Sequence, residues 1–275
     1  MSRLMKAPAL FRSVAFAAAL FAAPTAPNAQ TVAPASVTVP VTSDQDLWVE
    51  FGQAKPGQEQ AFAQWSERHL RDLAAVPGVV SGQRYNIELT GNAHHNLPAS
   101  VTFYVVKAGE TSRLDQRIEQ LTKDGRLSQD PSVDPAQTQR VLLRPLWPVV
   151  LAKQIPGTNP TPLGDGPLQD HYLVVFSDPA TPEKEDAYNR WYDLQHVPDV
   201  LRVPGFASAQ RFIRIGGETD FPRYLVIFHF YSRSLEATNS EIGRRIKEKI
   251  TVMSDAFGTQ HGKGFMATAA SPEVK

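Results

Sequence analysis

Residues 69–85 read HLRDLAAVPGVVSGQRY, and residues 196–212 read HVPDVLRVPGFASAQRF. The two stretches align without a gap at an offset of 127, with eight of seventeen positions identical: His69/His196, Asp72/Asp199, Val76/Val203, Pro77/Pro204, Gly78/Gly205, Ser81/Ser208, Gln83/Gln210 and Arg84/Arg211. Agreement of that density, with His, Pro, Gly and Arg all included, marks an internal duplication. Upstream, AFAQW at 61–65 matches AYNRW at 187–191 at an offset of 126. The second copy therefore holds one more residue between Trp191 and His196 than the first holds between Trp65 and His69. Such a residue either forms a π-bulge, common at functional sites, or is absorbed by a shifted helix end.

Working outward, both copies predict the same order of elements. Asp46–Phe51 and His171–Phe176 are apolar, β-branched and aromatic runs, hence strands. Helices are expected over 56–75 and 182–202, each with a proline in its first turn. Val-Pro-Gly ends each helix and opens a second strand, at 79–89 and 206–215. Third strands follow at 101–106 and 224–230, then helices at about 111–123 and 234–249. Residues 140–151 read as a fourth strand, and 264–269 as a weaker one. The order βαββαβ is the split-βαβ, ferredoxin-like unit. Strands one and three are continuously apolar and need cover on both faces. The expected fold is therefore α+β, with two such repeats packed sheet to sheet around a partly enclosed space. The expected division is a signal peptide (1–29), a disordered Ala/Pro-rich segment (30–44), repeat one (45–155), a linker (156–168) and repeat two (169–270).

Composition narrows the chemistry. The chain has 275 residues, 28 basic and 28 acidic side chains and no cysteine. Without cysteine there is no disulfide framework, thiolate nucleophile or Cys-ligated metal. A charge balance of zero argues against a nucleic-acid partner, which calls for a basic excess. Arg3, Lys6 and Arg12 precede an uncharged run from Ser13 to Ala23, the pattern of a secretory signal peptide and too short for a membrane span. An uncleaved N-terminal anchor is the alternative. Removing that leader takes away three basic residues and no acidic ones, leaving 25 against 28, a mature charge of −3. The expected location is periplasmic or secreted, with no membrane span after cleavage.

The second copy, EDAYNRWYDLQHVPDVLRVPGFASAQRF, resembles the EthD-like branch of the dimeric α+β barrel superfamily. The matching pattern is W-Y-D-x-x-H-x-P-D, then V-P-G and an arginine on the next strand. The resemblance covers residues 170–250 well and 45–125 less closely; the first copy has Arg71 where the second has Pro198. It implies a family dimer fused into one chain, as a monomer with an internal pseudo-dimer or as a homodimer of such chains. Relatives in the superfamily perform diverse reactions, so the fold does not name the chemistry.

The residues suggest a site of their own. His196 and Asp199 are three apart, within reach on a helix, and a carboxylate beside an imidazole favours its charged form. Tyr192 offers a phenol, Arg211 a bidentate clamp for a carboxylate or enolate. Trp191, Phe206, Phe212 and Phe228 could wall an aromatic ligand, and His171 and His229 could reach it if both face the inter-sheet space. In the first copy the counterparts are His69, Asp72, Arg84 and Trp65. Against these stand plainer roles: histidines satisfying helix ends, tryptophans as core anchors, and Arg84 and Arg211 paired with Asp72 and Asp199. His94–His95 and the stretch FGTQHGKGF around His261 read as loops, the latter a plain loop or a mobile lid. No phosphate-loop, dinucleotide, zincin or nucleophile-elbow motif occurs, and no metal site is expected. The expected function is an exported, cofactor-independent enzyme of lyase, isomerase or cyclase type, acting by proton transfer on a small hydrophobic or aromatic substrate, with decarboxylation within its range. His196 would move the proton, with Asp199 orienting it and Tyr192 and Arg211 stabilising negative charge. The alternative is a non-catalytic periplasmic binder of haem or an aromatic ligand.

Overall fold

Strand β1 (Gln45–Gly52) is buried on both faces over six consecutive residues, its apolar side chains interrupted by Asp46 and Glu50, which pair with Arg144 and Arg140. The computed structural model to which it belongs describes residues 42–90, 97–127, 130–217 and 221–275. The signal-peptide assignment, all but the last three residues of the Ala/Pro-rich segment and the His94–His95 loop lie outside these residues. After β1 come α1 (Glu59–Ala74), β2 (Val79–Thr90), β3 (Ser100–Lys107), α2 (Thr111–Lys123), β4 (Gln139–Pro145) and a two-residue strand β5 (Val150–Leu151). The second half runs β6 (Gln169–Pro179), α3 (Glu185–Trp191), α4 (Val197–Leu201), β7 (Phe206–Gly217), β8 (Tyr224–Ser232), α5 (Leu235–Lys247) and β9 (Phe257–Ala269).

The strands hydrogen-bond in the order β4-β1-β3-β2-β9-β6-β8-β7, and β4 then pairs with β7 to close the ring. Every pairing is antiparallel. The 4-1-3-2 order of the first half recurs in the second as β9-β6-β8-β7. The halves are joined edge to edge, with Tyr85 opposite Ala269 at one seam and Val141 opposite Gly217 at the other. The closed barrel agrees with the α+β barrel that the family resemblance implied, while the expectation of two separate facing sheets gives way to halves joined at their edges. A closed ring leaves none of the edge strands that two separate sheets would have to protect.

Nor is the space between the halves open. Alternate residues of the strands point inward and fill it: Leu47, Val49, Phe51, Phe103, Tyr172, Val174, Phe176, Phe212 and Phe265 form one buried cluster. Phe51 packs against Phe221, Phe265 and Phe176 at centroid distances of 5.1, 5.9 and 6.1 Å. Burying each such ring contributes roughly 1.5–3 kcal/mol, which favours a packed core over a cavity. Outside the barrel, α1 and α2 cover Trp48, Tyr104 and Val106, while the α3–α4 helix covers Phe206, Phe228 and Phe230.

Local chemistry sets the boundaries. Val-Pro-Gly makes the helix-to-strand turn in both halves, with Gly78 at φ 104° and Gly205 at φ 86°. A Cβ on Gly205 would lie 2.2 Å from the Tyr231 carbonyl oxygen, so no other residue fits. Ser234 caps α5 by accepting a hydrogen bond from the Ala237 amide. The single strand expected over 140–151 is instead two, separated at residues 146–149, because Pro145 and Pro148 lack the N–H a ladder needs. The Gly-rich stretch around His261 belongs to β9, so neither loop reading describes its backbone. Among the described residues, no helix is long and apolar enough to cross a membrane.

Candidate functional site

The extra residue of the second half is accommodated as a π-helical turn over Tyr192–His196, between α3 and α4. Pro198 is the second residue of α4, in the first turn, where a missing N–H is tolerated. The turn packs His196 against Trp191 (4.4 Å between centroids) and edge-on to Tyr192 (5.0 Å). The Trp191 indole donates to the Val252 carbonyl at 2.9 Å, fixing that side of the cluster. The Nδ1 atom of His196 is sealed from solvent and, among the described residues, has no hydrogen-bond partner. Burial lowers the His196 pKa to about 4; Asp199 opposes the shift and Arg211 reinforces it.

Asp199 does not orient that ring. Its carboxylate accepts from Gln195 at 2.7 Å, Arg202 at 2.9 Å and the Val252 amide at 3.2 Å. The charged imidazole expected from the His-x-x-Asp spacing is thus replaced by a neutral one, since Asp199 neutralises other groups. Arg211 is also committed, but not to Asp199. It is 4% exposed and donates to Asp193 Oδ1 and, at 2.8 Å, to Asn189 Oδ1. Its guanidinium lies 4.6, 5.7 and 5.6 Å from the ring centroids of Tyr192, Tyr188 and Tyr224. The clamp expected to hold a ligand is therefore filled by the protein's own side chains. The Tyr192 hydroxyl points to buried Ser177 at 3.4 Å, and Tyr188 binds the same oxygen at 2.6 Å.

What opens to solvent is a cavity of about 310 Å³ over β7, between the π-turn and the 146–149 segment. Arg211 and Asp193 lie against it, with Val197, Ala209 and Val150 as apolar lining. Trp147 and Leu194 form its rim, 57% and 73% exposed. Trp147 donates its indole N–H to Asp193 Oδ2 at 3.1 Å, so both carboxylate oxygens are engaged. Arg190, one turn before Leu194, completes the wall.

The other expected site residues are dispersed. His196, Tyr192 and Trp191 do not line the cavity. Phe212 points into the barrel, whereas Phe206 and Phe228 lie beneath the helix on its outside. His171 and His229 face opposite sides of the sheet, because their strands set Tyr172, not His171, opposite His229. His171 bonds to Thr268 at 2.9 Å, and burial lowers its pKa to about 4. His229 pairs with Asp170 at 3.1 Å and stacks on Tyr172. A haem macrocycle does not fit between them, since the barrel interior is already filled by Tyr172, Phe176 and their neighbours. Among the described residues, no group of three or more His, Asp or Glu side chains could hold a metal.

In the first half, Trp65 stacks on His69 at 4.5 Å, and His69 Nε2 lies 3.2 Å from Glu50 Oε2. That contact lies off the line of a directed hydrogen bond. Glu50 also accepts from Arg140 at 2.8 Å. Burial alone would raise the Glu50 carboxyl, but His69 and Arg140 outweigh it and hold its pKa at about 2. Arg84 pairs with Glu67 at 3.2 Å rather than with Asp72, which is exposed. Both strand arginines thus select the acid that the helix turns towards the sheet, Glu67 or Asp193. Sequence reasoning missed Asp193, Asn189, Arg190 and Trp147. Asp193 and Arg190 flank the Trp-Tyr pair of the motif and fall at 190, 193, 194 and 197 on one helical face, a signal that was readable.

No family model and no curated protein matches the sequence. Among solved structures, an anthrone oxidase-like protein superposes with a TM-score of 0.53 at 13% identity, over 85% of this chain and 93% of that one. A protein provisionally described as a monooxygenase, from Fusobacterium nucleatum subsp. nucleatum, gives 0.45 at 10% identity, over 83% and 94%. Chlorite dismutase from Candidatus Nitrospira defluvii gives 0.46 at 10%, over 83% and 92%. The first of them shares the fold of this chain over most of both lengths. At such identities the likeness is one of fold.

Proposed function

We propose that the chain is an exported, cofactor-independent enzyme of the EthD-like branch, built from two fused ferredoxin-like repeats. It performs proton transfer of lyase or isomerase type on a small hydrophobic or aromatic carbonyl compound. The observation that carries this reading is the Arg211–Asp193 pair, buried at one end and open at the other to an apolar-walled cavity. Asp193 takes a proton from carbon next to the substrate carbonyl. The C–H electron pair moves to the carbonyl oxygen, giving an enolate, and Arg211 turns from a carboxylate partner to an enolate partner. The guanidinium faces one negative charge before and after the step, which keeps reorganisation small. Return of the proton to a different carbon completes an isomerisation. His196 and Tyr192 act as positioning residues that fix the π-turn beneath Asp193.

Solvent exchange tests this. Phenylpyruvate and its neutral analogue phenylacetone, incubated with the protein in D2O, should gain deuterium at the methylene carbon beside the carbonyl, followed by proton NMR. Asp193→Asn should slow that exchange by roughly 10²–10⁴. Exchange no faster than in buffer, or unchanged in the variant, contradicts the reading. One observation favours binding without catalysis instead: Arg211 and Asp193 already satisfy each other, with Asn189 and Trp147 completing their shells. That reading predicts retention of an aromatic compound through native purification, seen by mass spectrometry, with no product formed.

A further inference from the structure

Within the same cavity, we propose that Arg190 is the anion-binding residue and that the ligand is an aromatic or hydrophobic carboxylate. The inference rests on the cavity assigned above, not on its chemistry. Three charged side chains line that cavity, Arg190, Asp193 and Arg211. Arg211 and Asp193 form an ion pair and cancel, so the cavity holds one uncompensated positive charge, on Arg190. Among the described residues, Arg190 has no carboxylate within 4 Å. It is exposed, so its guanidinium can reorient towards a ligand at little cost.

The remaining surface selects what accompanies the charge. Val197, Ala209 and Val150 offer no hydrogen bonds, and the rim presents the indole of Trp147 and the side chain of Leu194. An indole 57% exposed and an isobutyl group 73% exposed are costly to leave in water, and a flat apolar body lying between them covers both. A neutral aromatic would satisfy this wall and leave Arg190 unused. A small inorganic anion would pair with Arg190 and leave the wall wet. A carboxylate on an aromatic or branched apolar body satisfies both, with Arg190 taking its two oxygens side by side.

Isothermal titration calorimetry at pH 7 with 2-naphthoate and the isosteric, uncharged 2-naphthamide tests the assignment. The expected result is at least tenfold tighter binding of the acid, with Arg190→Gln abolishing that preference. Equal binding of acid and amide, no binding of either, or a preference that survives Arg190→Gln overturns the proposal. A preference lost in Arg211→Lys but not in Arg190→Gln also overturns it, by moving the anion to Arg211. If naphthoate binds as expected while phenylpyruvate shows no deuterium exchange, the enzymatic reading fails and the ligand class stands.

Discussion

The two histidine environments are built on the same backbone unit and differ in what lies beneath the ring. Under His69 the strand supplies Glu50, Arg140 and, across the ladder, Thr102. Under His196 the corresponding strand positions are Val175 and Val226, an apolar pair. The first half therefore closes its helix onto the sheet with a buried ion cluster. The second closes it with aromatic rings, and sets its charges one helical face away, at Asp193 and Arg211, where a cavity reaches them. The acid-to-arginine pair is common to both halves, Glu67–Arg84 and Asp193–Arg211, and the π-turn that follows Asp193 occurs in the second alone.

The strongest way to break this comparison is to exchange function between the halves. Asp193→Asn should cost roughly 10²–10⁴ in deuterium exchange, while Glu50→Gln should leave that rate within about twofold, because Glu50 is remote from the cavity. Equal losses would mean that the halves are not divided in this way.

Stability sharpens the contrast through its pH dependence. Glu50 has a folded pKa of about 2, below the ordinary 4.5, so its contribution is present above pH 4.5 and is lost as pH falls towards 2. That contribution is about 3 kcal/mol. His196 behaves differently. Its folded pKa of about 4 lies below the ordinary 6.5, so the unfolded chain binds the proton more readily and stability falls as pH drops from 6.5 to 4. The loss is again about 3 kcal/mol, and His171 adds to it in the same window. Urea unfolding against pH should therefore show two acid limbs. His196→Gln should flatten part of the upper limb and Glu50→Gln the lower. A single limb insensitive to His196 would contradict the buried, neutral assignment.

Smaller effects separate the tyrosines. Tyr188→Phe should cost about 1 kcal/mol, because the Ser177 hydroxyl loses a 2.6 Å partner. Tyr192→Phe should cost less, since its contact with the same oxygen is 3.4 Å. The reverse order in urea midpoints would mean that Tyr192, not Tyr188, anchors the π-turn.

Much of the architecture was legible. The doubled His-to-Arg stretch announced the repeated order of elements, and all six strands expected at the first three positions of each half lie where their apolar runs put them. The π-turn was one of two readings of a one-residue offset, and the structure selects it. Closure of the ring was legible through the family resemblance alone, because edge pairing depends on backbone geometry at β2, β4, β7 and β9 and leaves no mark on side-chain pattern. The site was partly legible. Arg211 and the helix carrying the motif were recognised, but the partner of Arg211 was misassigned. Spacing alone made Asp199 the nearest acid to His196, whereas Asp193 meets the arginine, as Glu67 meets Arg84 in the first half, and Asp199 is left to Gln195 and Arg202. The Trp147 wall was hidden inside an expected strand, although Pro145 and Pro148 were the signal that the ladder stops there.

The central claim, that the second half carries the site and the first is scaffold, is tested most directly by the indole N–H resonances of the four tryptophans during titration with 2-naphthoate. The Trp147 signal, bonded to Asp193 at the rim, should move progressively and saturate, while those of Trp48 and Trp65 stay in place. A stationary Trp147 signal, or movement of Trp65 in its stead, would contradict the account.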